Sequence, residues 1–330
     1  MTKIYVAYNK NENERLNSSS GGVFCLLAKY ILRHGGSVFG AAYDENFHVS
    51  HIEVTETSEL HYLLGSKYVQ SRMGKNVSLA VKERLESGKK VLFCGTPCQT
   101  ESIVKFVGND LRKNLIAVDF TCHGTPLPEV WEAYLTHLRE KGKIVSVNMR
   151  QKRFGWKTYS LEVIYNNGKC FSEIFTWNHY SQAFLMNYSL RKPCFHCAFR
   201  DVVPNSDITL GDYWDIAQKH PEMNDDKGIS KLYVHTDKGE TLLKDISDSL
   251  VIKFDEEIVN YKTKGQNIDI PIKREIFLNT LKNEGFEVAY RKIIYQGIAW
   301  NLKLKMKGLL KILLHYKKII FDERNRISRR

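Results

Sequence analysis

Apolar and polar positions along this chain follow two rhythms, and the change falls near its middle. In the first part, short apolar runs alternate with helical stripes. Residues 3–8 read as a strand, and the polar stretch after them ends in Ser18-Ser19-Ser20-Gly21-Gly22. Val23-Phe24-Cys25-Leu26-Leu27 with Ile31-Leu32 form a helical stripe that Gly35-Gly36 stops, and residues 37–43 read as the next strand. Lys89 and Lys90 then precede Val91-Leu92-Phe93, the flanks and length of a buried parallel strand. Cys94-Gly95-Thr96-Pro97-Cys98 follows. Glycine allows a tight turn there, and proline suits a first helical position. Cys98 is therefore expected at a strand's carboxyl end and a helix N-terminus, where partial positive charge suits a thiolate. Residues 114–120 repeat the design, followed by Thr121-Cys122-His123-Gly124-Thr125-Pro126. The helix from Pro128 carries Val130, Trp131, Tyr134, Leu135 and Leu138 on one face.

The rhythm then becomes twofold. Residues 144–150 and 159–165 alternate like antiparallel strands, and Asn167-Gly168 is a hairpin turn leading to residues 169–175. The intervening loop is basic and aromatic. It offers Lys152, Arg153 and Lys157 as contacts for an anionic or planar substrate, and it reads equally well as a solvated loop. Residues 177–190 read as a helix with Phe184, Leu185 and Tyr188 inward, before Cys194-Phe195-His196-Cys197. Alternation puts Asp207 and Thr209 on one strand face. After them come the acidic loop 221–230 with Asp225, Asp226 and Lys227, a strand at 231–236, another near 250–254, and further helices. The expected fold is mixed α+β: an α/β core with an inserted antiparallel unit and a helical C-terminal tail. The expected division is 1–142, 143–260 and 261–330.

Composition narrows the classes. The chain has 330 residues, 43% of them apolar, and can bury a full core. No apolar run reaches the roughly 18 residues needed to span a bilayer. The first residues lack the apolar centre of a signal peptide, so a cytoplasmic location with reduced thiols is expected. Seven cysteines then read as ligands or buried fillers rather than disulfides. The net charge is +12, yet residues 286–330 hold twelve Lys and Arg against three Asp and Glu. The basic character belongs to the tail, so no nucleic-acid partner is expected. Residues 302–321 are amphipathic and lysine-rich. They fit either a peripheral contact with an anionic membrane or a helix covering the core.

The candidate chemistry lies in the cysteines. Cys98, Cys122, Cys194 and Cys197 are separated by 23, 71 and 2 residues. A zinc ribbon would show two close pairs, and a bacterial ferredoxin run is more compact. One close pair plus two strand-end cysteines suits a [4Fe–4S] cluster, with a four-cysteine zinc site as the nearest alternative. Cys94 is an additional thiol near this set and a substitute for Cys122 within it. Cys25 and Cys170 read as structural. The Ser20-Gly21-Gly22 turn offers N–H groups to an anion. In Gly65-Ser66-Lys67-Tyr68-Val69-Gln70-Ser71, Lys67 can meet a phosphate and Tyr68 can stack on a flat ring. Each of these loops also reads as an ordinary turn.

Several stretches together resemble the beta-subunit family of coenzyme F-420 hydrogenases and dehydrogenases. They are Ser19-Ser20-Gly21-Gly22-Val23-Phe24, the 65–71 segment, Gly95-Thr96-Pro97-Cys98-Gln99, Cys122-His123-Gly124, Gly155-Trp156-Lys157, Cys194-Phe195-His196-Cys197 and Asp207-Ile208-Thr209-Leu210-Gly211-Asp212-Tyr213-Trp214. They keep the family's order over residues 3–250. The resemblance implies an iron–sulfur flavoprotein oxidoreductase. It implies FAD near Ser20, Gly21, Gly22, Gly65, Ser66, Lys67, Tyr68, Gln70 and Thr96, and a [4Fe–4S] cluster on the four cysteines. The organic partner would be coenzyme F-420 or another small hydride donor or acceptor. Many relatives carry an N-terminal ferredoxin-like module; this chain begins after its expected end, which implies a separate ferredoxin or electron-transfer subunit. Similar chains occur in bacterial surface-polysaccharide gene sets. Two rival readings follow: a zinc-stabilised transferase or binding protein of polysaccharide assembly, and a structural partner that tethers a complex to membrane.

Overall fold

The computed structural model describes residues 2–327, with side-chain surroundings for all of these except 298 and 318–327. Residues 1 and 328–330 of the expected division lie outside the described residues, as do the side chains of Ile319, Ile320 and Phe321 in the expected amphipathic stretch. In chain order the elements begin with β1 (Lys3–Asn9), α1 (Glu12–Leu16), α2 (Val23–Arg33), β2 (Ser37–Tyr43), β3 (Val49–Val54) and β4 (Ser71–Arg72). They continue with α3 (Lys75–Glu86), β5 (Val91–Gly95), α4 (Pro97–Arg112), β6 (Leu115–Phe120), α5 (Pro128–Arg139), β7 (Ile144–Gln151), β8 (Ser160–Tyr165), β9 (Cys170–Ile174) and α6 (His179–Leu185). The last are α7 (Lys192–Phe195), β10 (Ile208–Asp212), α8 (Ile216–Lys219), β11 (Ser230–Val234), α9 (Asp237–Asp245), β12 (Leu250–Asp255), α10 (Arg274–Glu284), α11 (Phe286–Ala289) and α12 (Ile298–Ile327).

The fold is mixed α/β, as the pattern predicts, in two compact units. The first joins the chain up to Pro128 with Leu190–Asp269; the second joins Glu129–Ser189 with the residues from Ile270 on. The units are thus not cut at 142 and 260. The antiparallel strands and the cysteine pair, placed together by the linear division, fall in different units.

The first unit is built on a nine-stranded sheet in the order β12-β1-β11-β10-β6-β5-β2-β3-β4. Its centre, β10-β6-β5-β2, is parallel, which needs cover on both faces. One face packs Leu92, Ile116 and Val118 under α2 and α9; the other packs Val91, Phe93, Leu115 and Ala117 under α3 and α4. This double cover explains why β5 is apolar at consecutive positions. The carboxyl ends of these strands form one edge, the usual place for a ligand in such sheets.

The second unit holds the three-stranded sheet β7-β8-β9 and an aromatic core. Tyr134 stacks on Tyr180 at 5.3 Å and meets Phe286 edge-on at 4.9 Å, and Asn178 Nδ2 donates to Tyr134 Oη at 2.6 Å. Val130, Trp131, Tyr134, Leu135 and Leu138 are all buried, as their spacing predicts. Phe184 is buried, but Leu185 is exposed. The helix ends there because Asn187 takes a left-handed backbone, φ 67°, which breaks the stripe. Cys170 opens β9 and is exposed, so it is no core filler. Among the described residues no helix is long and apolar enough to cross a membrane.

Candidate functional site

The site grows from the β5–α4 junction. Gly95 ends the strand and Thr96 caps α4, with Pro97 at the first helical position. Gln99 Oε1 accepts from Thr96 N at 3.1 Å and from Thr96 Oγ1 at 3.0 Å, which fixes the entry to the helix. Cys98 is exposed one residue further on, its Sγ 3.2 Å from Thr96 Oγ1. Cys122 follows β6 and is half-buried.

Cys194 and Cys197 come from the α7 turn and the residues just after it, and Arg200 Nη2 ties this turn to the stretch after Cys122 by donating to both His123 O and Cys194 O. Burial pushes the Cys122 thiol up to about 12. The Gly124 backbone N–H opposes this, while negative charge on Cys98, Cys194 and Cys197 adds to it. Cys194 is raised by burial and by charge on Cys98 and Cys197, against the Thr125 N–H and the Arg191 guanidinium. The Thr125 N–H lies 3.4 Å from Cys194 Sγ. Cys122 thus senses the charge of the other three, and the N–H donors and the guanidinium favour the thiolate form but are outweighed by burial. Among the described residues, no three Cys, His, Asp or Glu side chains stand around one point as a single metal ion requires. Zinc would draw its sulfurs to about 2.3 Å from one atom. A cluster attaches each thiolate to a different iron, so its donors stand further apart.

A strap that the sequence does not announce holds the cysteine pair. His196 bridges to Asn267, Ile268 N donates to Phe195 O at 3.0 Å, and Lys262 N donates to Asp201 O at 2.7 Å. The first unit therefore runs past residue 260.

The loops that the sequence marks for a flavin are knitted together beside this site. Ser66 Oγ donates to Ser19 Oγ at 2.8 Å, and Gln99 Nε2 donates to Ser71 O at 3.2 Å. Ser20 Oγ donates to Ile229 O at 2.6 Å and Gly21 N to Ser230 Oγ at 3.0 Å. Gly21 is glycine for lack of space: a Cβ would stand 2.5 Å from Ala7 O. Gly22, with φ 81°, caps α2. Arg15 is buried, pairs with both carboxylate oxygens of Asp225, and donates through Nε to Gly228 O at 2.7 Å. Asp225 thus anchors the 225–230 loop to α1. Gly65, Ser66, Lys67, Tyr68 and Gln70 are half-buried. The Lys67 ammonium donates to Leu64 O at 3.0 Å and Gly65 O at 3.2 Å, and burial pushes it down to about 8.

Sequence reasoning misses several groups here. His51 on β3 is buried and stacks on Phe93 at 5.1 Å. Its Nε2 lies 3.1 Å from the Cys94 carbonyl, which only accepts, so Nε2 carries the proton and Nδ1 accepts from Ser71 Oγ at 2.7 Å. Burial pushes this imidazole down to about 4. Asp119, buried at the end of β6, is pushed up to about 6 by burial and accepts from Thr209 Oγ1. Burial and the Asp119 charge push Cys94 up to about 12, and Lys67 opposes them. Tyr43 Oη is buried and makes no hydrogen bond among the described residues. The residues present are compatible with both groups: thiols that sense one another's charge for a cluster, and the buried Tyr43 hydroxyl with the Lys67 ammonium for a flavin.

Lys152, Arg153 and Lys157 belong to the second unit. Lys152 is buried, and Arg153 Nη2 donates to Glu162 Oε2 at 2.8 Å.

Residues 88–259 match the family described as the C-terminal part of the beta subunit of coenzyme F420 hydrogenase/dehydrogenase. No curated protein shows significant similarity to the chain. Among solved structures it is similar to a chain from the F420-reducing [NiFe] hydrogenase complex of Methanosarcina barkeri. The TM-score is 0.53 at 15% identity, over 88% of this chain and 90% of that one. At that identity the likeness is one of fold.

Proposed function

Because the chain belongs to the coenzyme F420 hydrogenase/dehydrogenase beta subunit family, we propose that it is an oxidoreductase. In this reading Cys98, Cys122, Cys194 and Cys197 hold a [4Fe–4S] cluster. Ser20, Gly21, Gly22, Gly65, Ser66, Lys67, Tyr68, Gln70 and Thr96 hold FAD. The contact of the Cys194 side chain with Gly124 and Thr125, the residues just after Cys122, supports it, together with the charge that Cys122 senses from Cys98, Cys194 and Cys197.

When bound, the two cofactors supply single-electron and hydride chemistry respectively. The chain's own residues do the rest. Lys67 places a positive charge where a flavin pyrophosphate or an anionic ring gains from it. The Gly124 and Thr125 N–H groups stabilise thiolates at Cys122 and Cys194. His51, neutral at pH 7, holds β3 to the Cys94 carbonyl and adds no charge. The organic partner is coenzyme F-420 or another small hydride donor or acceptor, and a separate electron-transfer protein supplies or takes single electrons.

Anaerobic purification followed by acid release of flavin tests this reading. Stoichiometric FAD that bleaches on adding reduced coenzyme F-420 is expected. A protein that neither retains nor takes up flavin overturns the assignment.

A further inference from the structure

α12 has two sides of opposite character. On one side Gly308 is buried against Trp177, so closely that a Cβ would stand 2.4 Å from the indole. Trp177 Nε1 donates to Leu304 O at 3.2 Å on the same side. The other side is apolar and uncovered. Leu302, Met306, Leu309, Leu310, Leu313 and Leu314 are all more than half exposed. Their spacings of three, four and seven place them on one stripe, turned away from Gly308 by the 100° helical step. Lys307 and Lys311 run along one edge of the stripe, Lys303 stands within it near that edge, and Lys305 stands on the other. Residues 298–321 contain six lysines and no Asp or Glu.

We propose that this face of α12 is a membrane-surface anchor for anionic phospholipid. The leucines enter the boundary between headgroups and acyl chains, and the lysines meet lipid phosphates. Charge decides between occupants. A second copy of the same face would bring lysine rows together with no acid to meet them. An anionic bilayer neutralises both rows and accepts a broad apolar stripe without a matching groove. The helix lies in the surface rather than across it, because its lysines recur too often for a span.

Flotation of the full-length protein with vesicles tests this, using phosphatidylcholine alone and an equal mixture with phosphatidylglycerol. Binding to the mixed vesicles only is expected, weakening as salt is raised. Lys303→Gln, Lys307→Gln and Lys311→Gln combined should weaken it roughly a hundredfold. Leu309→Asp with Leu313→Asp should abolish it, while circular dichroism and the thermal midpoint stay those of the parent. Equal binding to neutral vesicles, or no vesicle binding at all, overturns the proposal. So does a concentration-dependent dimer that these leucine changes break, since the face then serves a second copy.

Discussion

Gly265 lies against Cys197, so near that a Cβ on the glycine would stand 1.9 Å from the Cys197 carbonyl oxygen and under 2.8 Å from Ala198 backbone atoms. The strap that crosses the cysteine pair depends on that absence of a side chain. Gly265→Ala is expected to cost about 3 kcal/mol, at the upper end for overpacking, because the opposing atoms are backbone and cannot swing aside. Denaturant unfolding measures the cost. Iron retention should fall with it, since the same shift moves Cys197.

Asp207 gathers four donors in a buried place. Ala117 N lies at 2.8 Å, Arg112 Nη1 at 2.9 Å, Thr236 Oγ1 at 2.8 Å and Lys238 Nζ at 3.2 Å. Asp207→Ala leaves two cations facing each other with no anion between. A loss of about 3–5 kcal/mol is expected by equilibrium unfolding. A loss below about 1 kcal/mol would contradict the buried arrangement.

His51 gives a pH signature. Its folded-state value is about 4, against an ordinary value near 6.5, so between these the unfolded chain binds the extra proton. Its contribution is fully present above about pH 6.5 and is lost as the pH falls toward 4. Asp119, raised to about 6, works in the opposite direction over pH 6 to 4. Comparing the parent with His51→Gln cancels the Asp119 effect. The parent's advantage should shrink by up to about 3 kcal/mol between pH 7 and pH 4. An advantage that is constant with pH would contradict a buried neutral imidazole.

Lys67 separates stability from binding. Its ammonium is held down to about 8 by burial, so at pH 7 it is charged at a cost to the empty fold. Lys67→Met should unfold no earlier than the parent yet bind FAD about tenfold more weakly in a fluorescence titration. Unchanged flavin affinity would remove Lys67 from the proposed site.

Much of this was readable in the residues themselves. β5 and β6 stand out because both their faces are covered, leaving uninterrupted apolar runs. α5 stands out because five large apolar residues recur at helical spacing. β3 does not, since the adjacent polar residues Ser50 and His51 break the twofold alternation within Val49–Val54, and His51 with it goes unseen. Leu185 fits a helical stripe until Asn187 breaks the backbone two residues later. The four cysteines can be picked out as a set because strand ends and a two-residue gap carry local signals. The Gly265 strap cannot, because its partners lie about seventy residues away and it has no period of its own. Arg15 with Asp225 and Arg112 with Asp207 are likewise long-range pairs between positions that look like ordinary surface charges.

Iron and acid-labile sulfide, counted per chain after anaerobic purification, test the central claim most directly. About four of each are expected, with a broad visible shoulder. Both should be lost when Cys98, Cys122, Cys194 or Cys197 is changed to Ser, and kept when Cys25, Cys94 or Cys170 is. Zinc in a colourless protein, or iron that survives all four substitutions, would contradict it.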